Sequence, residues 1–98
     1  MRQIEKSMLA AIRSERSWKQ DNTEVVTDNG ISRVYLHGNL IADVQNGRVV
    51  AFSLCGWNTP TTRSRLNALG LDVRCKNGRA VYNGEVISSR DVIHIAAC

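Results

Sequence analysis

The chain has 98 residues, of which 43% are hydrophobic, and its formal net charge is +4. This length and composition are those of one folded domain and exclude intrinsic disorder. Charged residues interrupt every apolar run before it reaches the roughly 18 residues of a membrane span, and they also break up the first 20 positions. We therefore expect a single cytoplasmic domain over residues 1–98, with no membrane segment and no secretory signal.

The positive charge is concentrated at the two ends of the chain. Residues 1–20 hold five basic and two acidic groups, residues 21–60 hold two and four, and residues 61–98 hold six and three. This polarity is compatible with an anionic partner such as nucleic acid. A charge of +4 is also ordinary for solubility, so composition alone leaves the partner open.

The first 16 residues predict an amphipathic N-terminal helix. Its apolar stripe recurs at helical spacing and consists of Ile4, Met8, Leu9 and Ile12. The next segment, residues 17–22, is polar and is predicted to end the helix. Trp18 within it is expected to cover an edge of the core.

From residue 23 onward the apolar residues alternate with a period of two, and four Asn-Gly pairs interrupt them. Asn-Gly is the preferred pair of two-residue hairpin turns because both positions need positive φ. Strands are predicted at 24–27, 32–37, 40–45, 48–54, 71–76, 79–82, 85–87 and 92–95. Asn83-Gly84 is compatible with a turn, a bulge or an open loop.

A short central helix is predicted over residues 60–69. Thr59 can cap its first turn, Pro60 loses no hydrogen bond at the first position, and Gly70 can take the left-handed stop conformation. Leu66 and Leu69 should face inward with the methyl group of Thr62. At the strand-to-helix corner, Trp57 is expected to act as a structural wedge under the helix.

These elements predict an α+β fold. The connections are too short for parallel crossovers, so the strands should form an antiparallel sheet built from hairpins over residues 23–95. The N-terminal helix and the short central helix are expected to cover one face of that sheet.

The central helix carries an unusual set of polar residues. Its first turn has no acid, although acids are favoured there, and has threonines followed by Arg63 and Arg65 instead. Free N–H groups, hydroxyls and guanidinium groups together favour a phosphate or carboxylate ligand. The alternative is that Thr59 only caps the helix, Thr62 packs and the arginines are solvated.

A basic hairpin follows the helix in sequence, with Arg74, Lys76 and Arg79 around the Asn77-Gly78 turn. If the hairpin neighbours the helix, five cations share one surface, and Tyr35, Trp57 or Tyr82 could add a stacking surface. The alternative is a hairpin tip that charge keeps soluble and protected from edge pairing. The candidate binding residues are Thr59, Thr61, Arg63, Arg65, Asn67, Arg74, Lys76 and Arg79.

Residues for catalysis and metal binding are sparse. His37 and His94 each fall on a predicted strand, where a structural role is expected, and no carboxylate pair or nucleotide-binding motif is visible. Cys55 and Cys75 are expected to be small buried residues of strands, and Cys98 an exposed thiol that could link two chains. We expect no enzyme activity, no metal and no cofactor.

The segment Gly56–Asn67 has the pattern Gly-Trp-x-Thr-x-Thr-Thr-(Lys/Arg)-x-Arg-(Ile/Leu)-Asn. In this it resembles a group of small phage and prophage proteins. Val34–Ala42 is similar to the strand–turn–strand segment of those proteins, and Val73–Gly78 is similar to their basic hairpin, which often continues to an aromatic near Tyr82.

The resemblance covers residues 23–82 and implies a phage-type accessory protein. It places Arg63, Arg65 and Asn67 at motif positions and brings no catalytic residue with it. The predicted function is binding of nucleic acid through the basic face. The alternative is an inhibitor of a host nucleic-acid-handling or defence complex, of the anti-restriction or anti-CRISPR type. Sequestration of a small phosphorylated ligand at the helix start is a third hypothesis, and the oligomeric state stays open.

Overall fold

The computed structural model describes residues 1–95 and confirms the α+β class, with an N-terminal helix, a short second helix and antiparallel sheets. Cys98, predicted to be exposed, lies outside the described residues. The elements are α1 (Gln3–Arg13), β1 (Trp18–Gln20), β2 (Thr23–Asp28), β3 (Ile31–Leu36), β4 (Asn39–Gln45), β5 (Arg48–Phe52), α2 (Pro60–Ala68), β6 (Val73–Lys76), β7 (Arg79–Tyr82), β8 (Glu85–Ile87) and β9 (Ile93–His94).

The described strands form two sheets where one was predicted. The large sheet has the order β1-β2-β3-β4-β5-β9, and the small sheet has the order β6-β7-β8. All their pairings are antiparallel. The split arises at α2, which carries the chain away from β5 before β6 begins, and β9 then returns to pair with β5.

The Asn-Gly turns form as their chemistry predicts. Asn29, Asn46, Asn77 and Asn83 all have positive φ, between 49° and 54°. The pair at Asn83-Gly84 is therefore a tight turn between β7 and β8 rather than an open loop. A fifth turn of the same kind joins β3 to β4 through His37, which was predicted to lie on a strand and instead has a φ of 50°.

The N-terminal helix is shorter than predicted and a strand follows it. Glu15 adopts a φ of 50°, and the Arg16 N–H donates to the Ala11 carbonyl at 3.1 Å, which closes the helix with a left-handed cap. The chain then turns back as β1, where Trp18 lies opposite Val25. The prediction that residues 17–22 only end the helix was therefore incomplete.

The core lies between the large sheet and the two helices. Met8 and Ile12 of α1 and Leu66 of α2 are buried in it, and Leu9 and Leu69 are partly buried against it, which confirms these positions of the predicted apolar stripes. The small sheet joins this core through Val73, Ala80 and Tyr82, and the Tyr82 ring meets Phe52 edge-on at a centroid distance of 4.9 Å. Within residues 1–95, neither helix has the length and apolar character that crossing a membrane requires.

The cysteines differ from expectation. Cys75 is exposed and Cys55 is half-buried, and both are free thiols. The prediction of a buried Cys75 was wrong because the small sheet extends past the core. Its inner face is covered at Val73 and Ala80 but open at the hairpin end.

Candidate functional site

The predicted site residue Arg65 lies inside the protein. Only 4% of its side chain is exposed, and its Nη1 contacts Glu5 Oε2 of α1 at 2.7 Å. Its Nε donates to Thr23 Oγ1 at 3.0 Å and its Nη2 to Asn22 Oδ1 at 3.3 Å. The prediction that Arg65 belongs to a binding face is corrected, because its guanidinium is used to join α2 to α1 and β2.

Glu5 receives three hydrogen bonds in this buried cluster. Besides Arg65, the Ser64 hydroxyl donates to its Oε2 at 2.5 Å and the Arg2 backbone N–H donates to its Oε1 at 3.2 Å. Burial alone would raise the pKa of Glu5, but these hydrogen bonds and the charge of Arg65 lower the pKa below its ordinary value. The carboxylate is therefore ionised at neutral pH and holds Arg65 in place.

Two further predicted residues have structural partners. The Asn67 carboxamide makes a reciprocal pair of hydrogen bonds with the Val73 backbone, at 2.9 Å and 2.7 Å. The Thr59 hydroxyl accepts from the Thr62 N–H at 3.2 Å, which confirms the predicted helix cap. Asn67 thus fastens the small sheet to α2, and Thr59 fixes the start of the helix.

Arg63 lies next to the small sheet. Its Nη1 donates to Asn58 Oδ1 at 2.5 Å, and the Asn58 amide contacts Cys75 Sγ at 3.7 Å. The helix start and the basic hairpin are therefore neighbours, as the single-surface prediction requires. The contact is made to the inner face of the sheet, however, because Cys75 alternates with Arg74 and Lys76.

The hairpin cations lie together on the opposite, outer face. Lys76 is paired directly with Arg79 and Arg74 with Val81, and directly paired residues project to the same side of a sheet. Val86 of β8 lies beside Val81 on that side. We call this surface the cationic face; its residues are Arg74, Lys76, Arg79, Val81 and Val86.

Local charge on the cationic face is almost entirely positive. All three cations are exposed, and one of them, Arg74, pairs with Asp72 at 2.8 Å in an ion pair that is open to solvent. Such an exposed pair is weak and exchanges readily with other partners. The predicted set of five cations is thus divided into three on the outer face, Arg63 on the inner side and Arg65 in the interior.

None of the aromatic residues considered for stacking lies on the cationic face. Tyr82 points to the inner side against Phe52, and Tyr35 belongs to the large sheet. Trp57 is 60% exposed, so the prediction of a wedge under the helix was wrong. The indole lies at the mouth of a cavity instead.

This cavity has a volume of about 570 Å³ and lies between the β3–β4 turn and the first turn of α2. The predicted site residues Thr59 and Thr61 contribute to its wall. Thr62, His37 and Asn39 are further polar residues of its wall, and none of the three was predicted as a site residue. A signal for His37 was present: His37-Gly38 follows a strand as the four Asn-Gly turns do, with histidine in the place of asparagine.

Comparison with known protein families identifies the kind of protein. A model of the Kyanoviridae Gp96 protein family matches residues 1–93. The chain belongs to this phage protein family. Comparison with curated proteins and with solved structures gives no significant match.

Membership of the Gp96 family supports the small phage protein that the sequence resemblance implied, whereas the motif over residues 56–67 stays a prediction. In this Gp96 protein, residues 1–95 contain no cluster of three His, Cys, Asp or Glu side chains that could hold a metal ion. Predicted site residues are accessible on two surfaces within residues 1–95: the cationic face and the cavity beside Trp57.

Proposed function

We propose that this member of the Gp96 family is a non-catalytic phage accessory protein that binds nucleic acid in the host cytoplasm through the cationic face. The observation that carries the proposal is the placement of Arg74, Lys76 and Arg79 together on one exposed face of the β6–β7 hairpin. Lysine and arginine side chains on such a face contact phosphates, and phosphate contacts supply most of non-specific affinity.

The shape of the hairpin agrees with this use. The Asn77-Gly78 turn at its tip is exposed and extends past the core, so the cations around this turn can reach phosphate groups without any rearrangement of the sheet. The cationic face lacks an aromatic platform, so stacking of unpaired bases does not contribute there. We therefore expect contacts to the phosphate backbone, with little dependence on base sequence.

A mobility-shift titration over salt tests the proposal. Three phosphate contacts predict a slope of log K against log salt of about −2.7 for duplex DNA, which is about a 40-fold loss of affinity between roughly 50 and 200 mM salt. Single-stranded DNA run in parallel should give a shallower slope. Absence of any shift at the lower salt concentration would remove the basis for nucleic-acid binding.

A second candidate function is inhibition of a host nucleic-acid-handling or defence complex through the same face. The observation in its favour is the apolar strip beside the cations: Val86 is 61% exposed and lies beside Val81, which is paired with Arg74. Apolar contacts flanked by charged residues are typical of protein interfaces, and positive charges complement an acidic partner.

Val86→Lys separates the two functions. The added cation should maintain or strengthen binding to DNA, whereas it should disrupt an apolar contact with a protein. Wild type and variant are compared by affinity capture from host lysate. If the second function holds, the wild type should recover a stoichiometric partner and the variant should not. Equal recovery of that partner with both proteins would contradict docking on Val86.

A further inference from the structure

The cavity beside α2 has the size and wall of a small-molecule site. Its volume of about 570 Å³ falls within the usual range for ligand pockets, about 300–1,000 Å³. Leu36, Ile41 and Leu54 contribute apolar wall, and each is at most 4% exposed. None of the lining residues carries a carboxylate, an ammonium or a guanidinium group. The cavity therefore favours a ligand whose buried part is uncharged.

Trp57 presents an indole at this cavity from a fixed backbone. The backbone N–H of Trp57 donates to the Leu54 carbonyl at 2.8 Å, and the backbone carbonyl of Trp57 accepts from the Thr59 N–H at 2.9 Å. The preceding Gly56 N–H donates to the Ser89 carbonyl at 2.8 Å. An exposed aromatic ring on a fixed backbone offers a stacking surface with little ordering cost, so it favours a planar ligand.

Three polar wall residues are at least partly exposed and can reach a ligand in the cavity: His37, Asn39 and Thr61. An imidazole, a carboxamide and a hydroxyl can each take part in hydrogen bonds to a ligand. Such groups match the edge of a heterocycle, where donors and acceptors alternate. A purely hydrocarbon ligand would leave them unused.

The turn that carries His37 supports the same site. Asparagine occupies the corresponding left-handed position in the four Asn-Gly turns, and asparagine, aspartate and histidine are the non-glycine residues most often found in that conformation. The β3–β4 turn has histidine at this position instead, with a φ of 50°. Unlike the four Asn-Gly turns, it lines the cavity. The imidazole therefore fits the conformation of the turn and also lies at the wall of the cavity, where a ligand can reach it.

We propose that this cavity binds a nucleobase, stacked on Trp57 with its polar edge towards Asn39, Thr61 and His37. The base belongs either to a free nucleoside or to a nucleotide unstacked from a strand, since both present the same ring. The site is separate from the cationic face and does not depend on the function proposed for that face.

Titration with the four common ribonucleosides, followed by tryptophan fluorescence and by calorimetry, tests the proposal. At least one nucleoside should quench Trp57 saturably, with a Kd on the order of 10–100 µM. Trp57→Ala should weaken that binding about tenfold or more, because the stacking contribution is lost. Trp57→Phe, followed by calorimetry, should retain most of it.

His37→Asn provides a second variant whose fold is secure, because asparagine already forms the same turn elsewhere in the chain. It should weaken nucleoside binding, while Arg79→Gln on the cationic face should leave it unchanged. A trinucleotide titrated in parallel distinguishes the source: Trp57-dependent binding of the trinucleotide alone assigns the base to a strand. The proposal is overturned if neither probe binds at about 1 mM, or if Trp57→Ala binds as well as wild type.

Discussion

The buried ion pair between Glu5 and Arg65 is the contact whose loss should damage the fold most. The pair joins α1 to α2 at 2.7 Å, with 3% and 4% of the two side chains exposed. Glu5→Gln has nearly the same shape but no charge, so it leaves the Arg65 guanidinium buried beside neutral oxygens. Loss of one partner of a buried pair costs about 3–5 kcal/mol, because the remaining charge is uncompensated.

That loss is large compared with the stability of a domain of this size. Folded domains are stable by only about 5–15 kcal/mol, so a loss of about 3–5 kcal/mol in Glu5→Gln should remove at least about a fifth of the stability. A loss of about 3 kcal/mol should lower Tm by roughly 12–24 °C for a domain of nearly 100 residues. Thermal and urea unfolding followed by circular dichroism measure both quantities.

The chain offers a matched control in the exposed pair of Arg74 and Asp72. Its N–O distance of 2.8 Å is almost the same, but 76% and 52% of the two side chains are exposed. Arg74→Gln should therefore cost no more than about 1 kcal/mol. If Glu5→Gln costs as little as Arg74→Gln, the reasoning that burial makes this pair critical is refuted.

Three further predictions concern stability. Because the pKa of Glu5 is lowered in the folded state, the stabilisation it contributes is present above the ordinary glutamate pKa of about 4.3 and is lost as pH falls through the lower folded value. Wild type should therefore lose stability more steeply in acid than Glu5→Gln, and parallel unfolding curves against pH would contradict this. Asn67→Ala should cost about 1–3 kcal/mol in urea unfolding, because the buried Val73 N–H loses its partner; an unchanged midpoint would exclude that role. His37→Asn should keep the unfolding free energy within about 0.5 kcal/mol of wild type or raise it, and a clear loss of stability would show that the imidazole supports the turn.

Most of the fold could be predicted from local sequence chemistry. Asn-Gly pairs determine their own turns through positive φ, and Thr59, Pro60 and Gly70 delimit a helix by capping and stop signals that need no tertiary contact. Strand β1 could not be predicted in this way. It is three residues long and mostly polar, and it forms because Trp18 reaches Val25 across a turn.

The site was harder to predict because an arginine can be either an exposed binding residue or a buried partner of an ion pair. Arg65 is three residues from Thr62 and next to Leu66, so it lies on the inward side of α2. Glu5 is three residues from Met8, so it lies on the inward side of α1. A charged residue on each of two buried stripes indicates an internal ion pair. That spacing identifies each residue as a candidate, but only the packing of α1 against α2 shows that they meet.

The cationic face, in contrast, could be predicted in part from the sequence. Strand alternation alone places Arg74 and Lys76 on one side of β6, so their common face was predictable. The position of Arg63 was not, because it depends on which side of the small sheet packs against the helix. Asn67 and Tyr82 decide that side through their contacts with Val73 and with the core.

Paired substitution of two equivalent arginines tests the central claim most directly. Arg79 and Arg48 are both exposed and both follow an Asn-Gly hairpin turn, but only Arg79 lies on the cationic face. In salt titrations with duplex DNA, Arg79→Gln should weaken binding and reduce the slope of log K against log salt by about 0.9, whereas Arg48→Gln should leave the slope unchanged. Equal effects of the two substitutions would contradict a binding site on the β6–β7 hairpin and show that binding follows net charge alone.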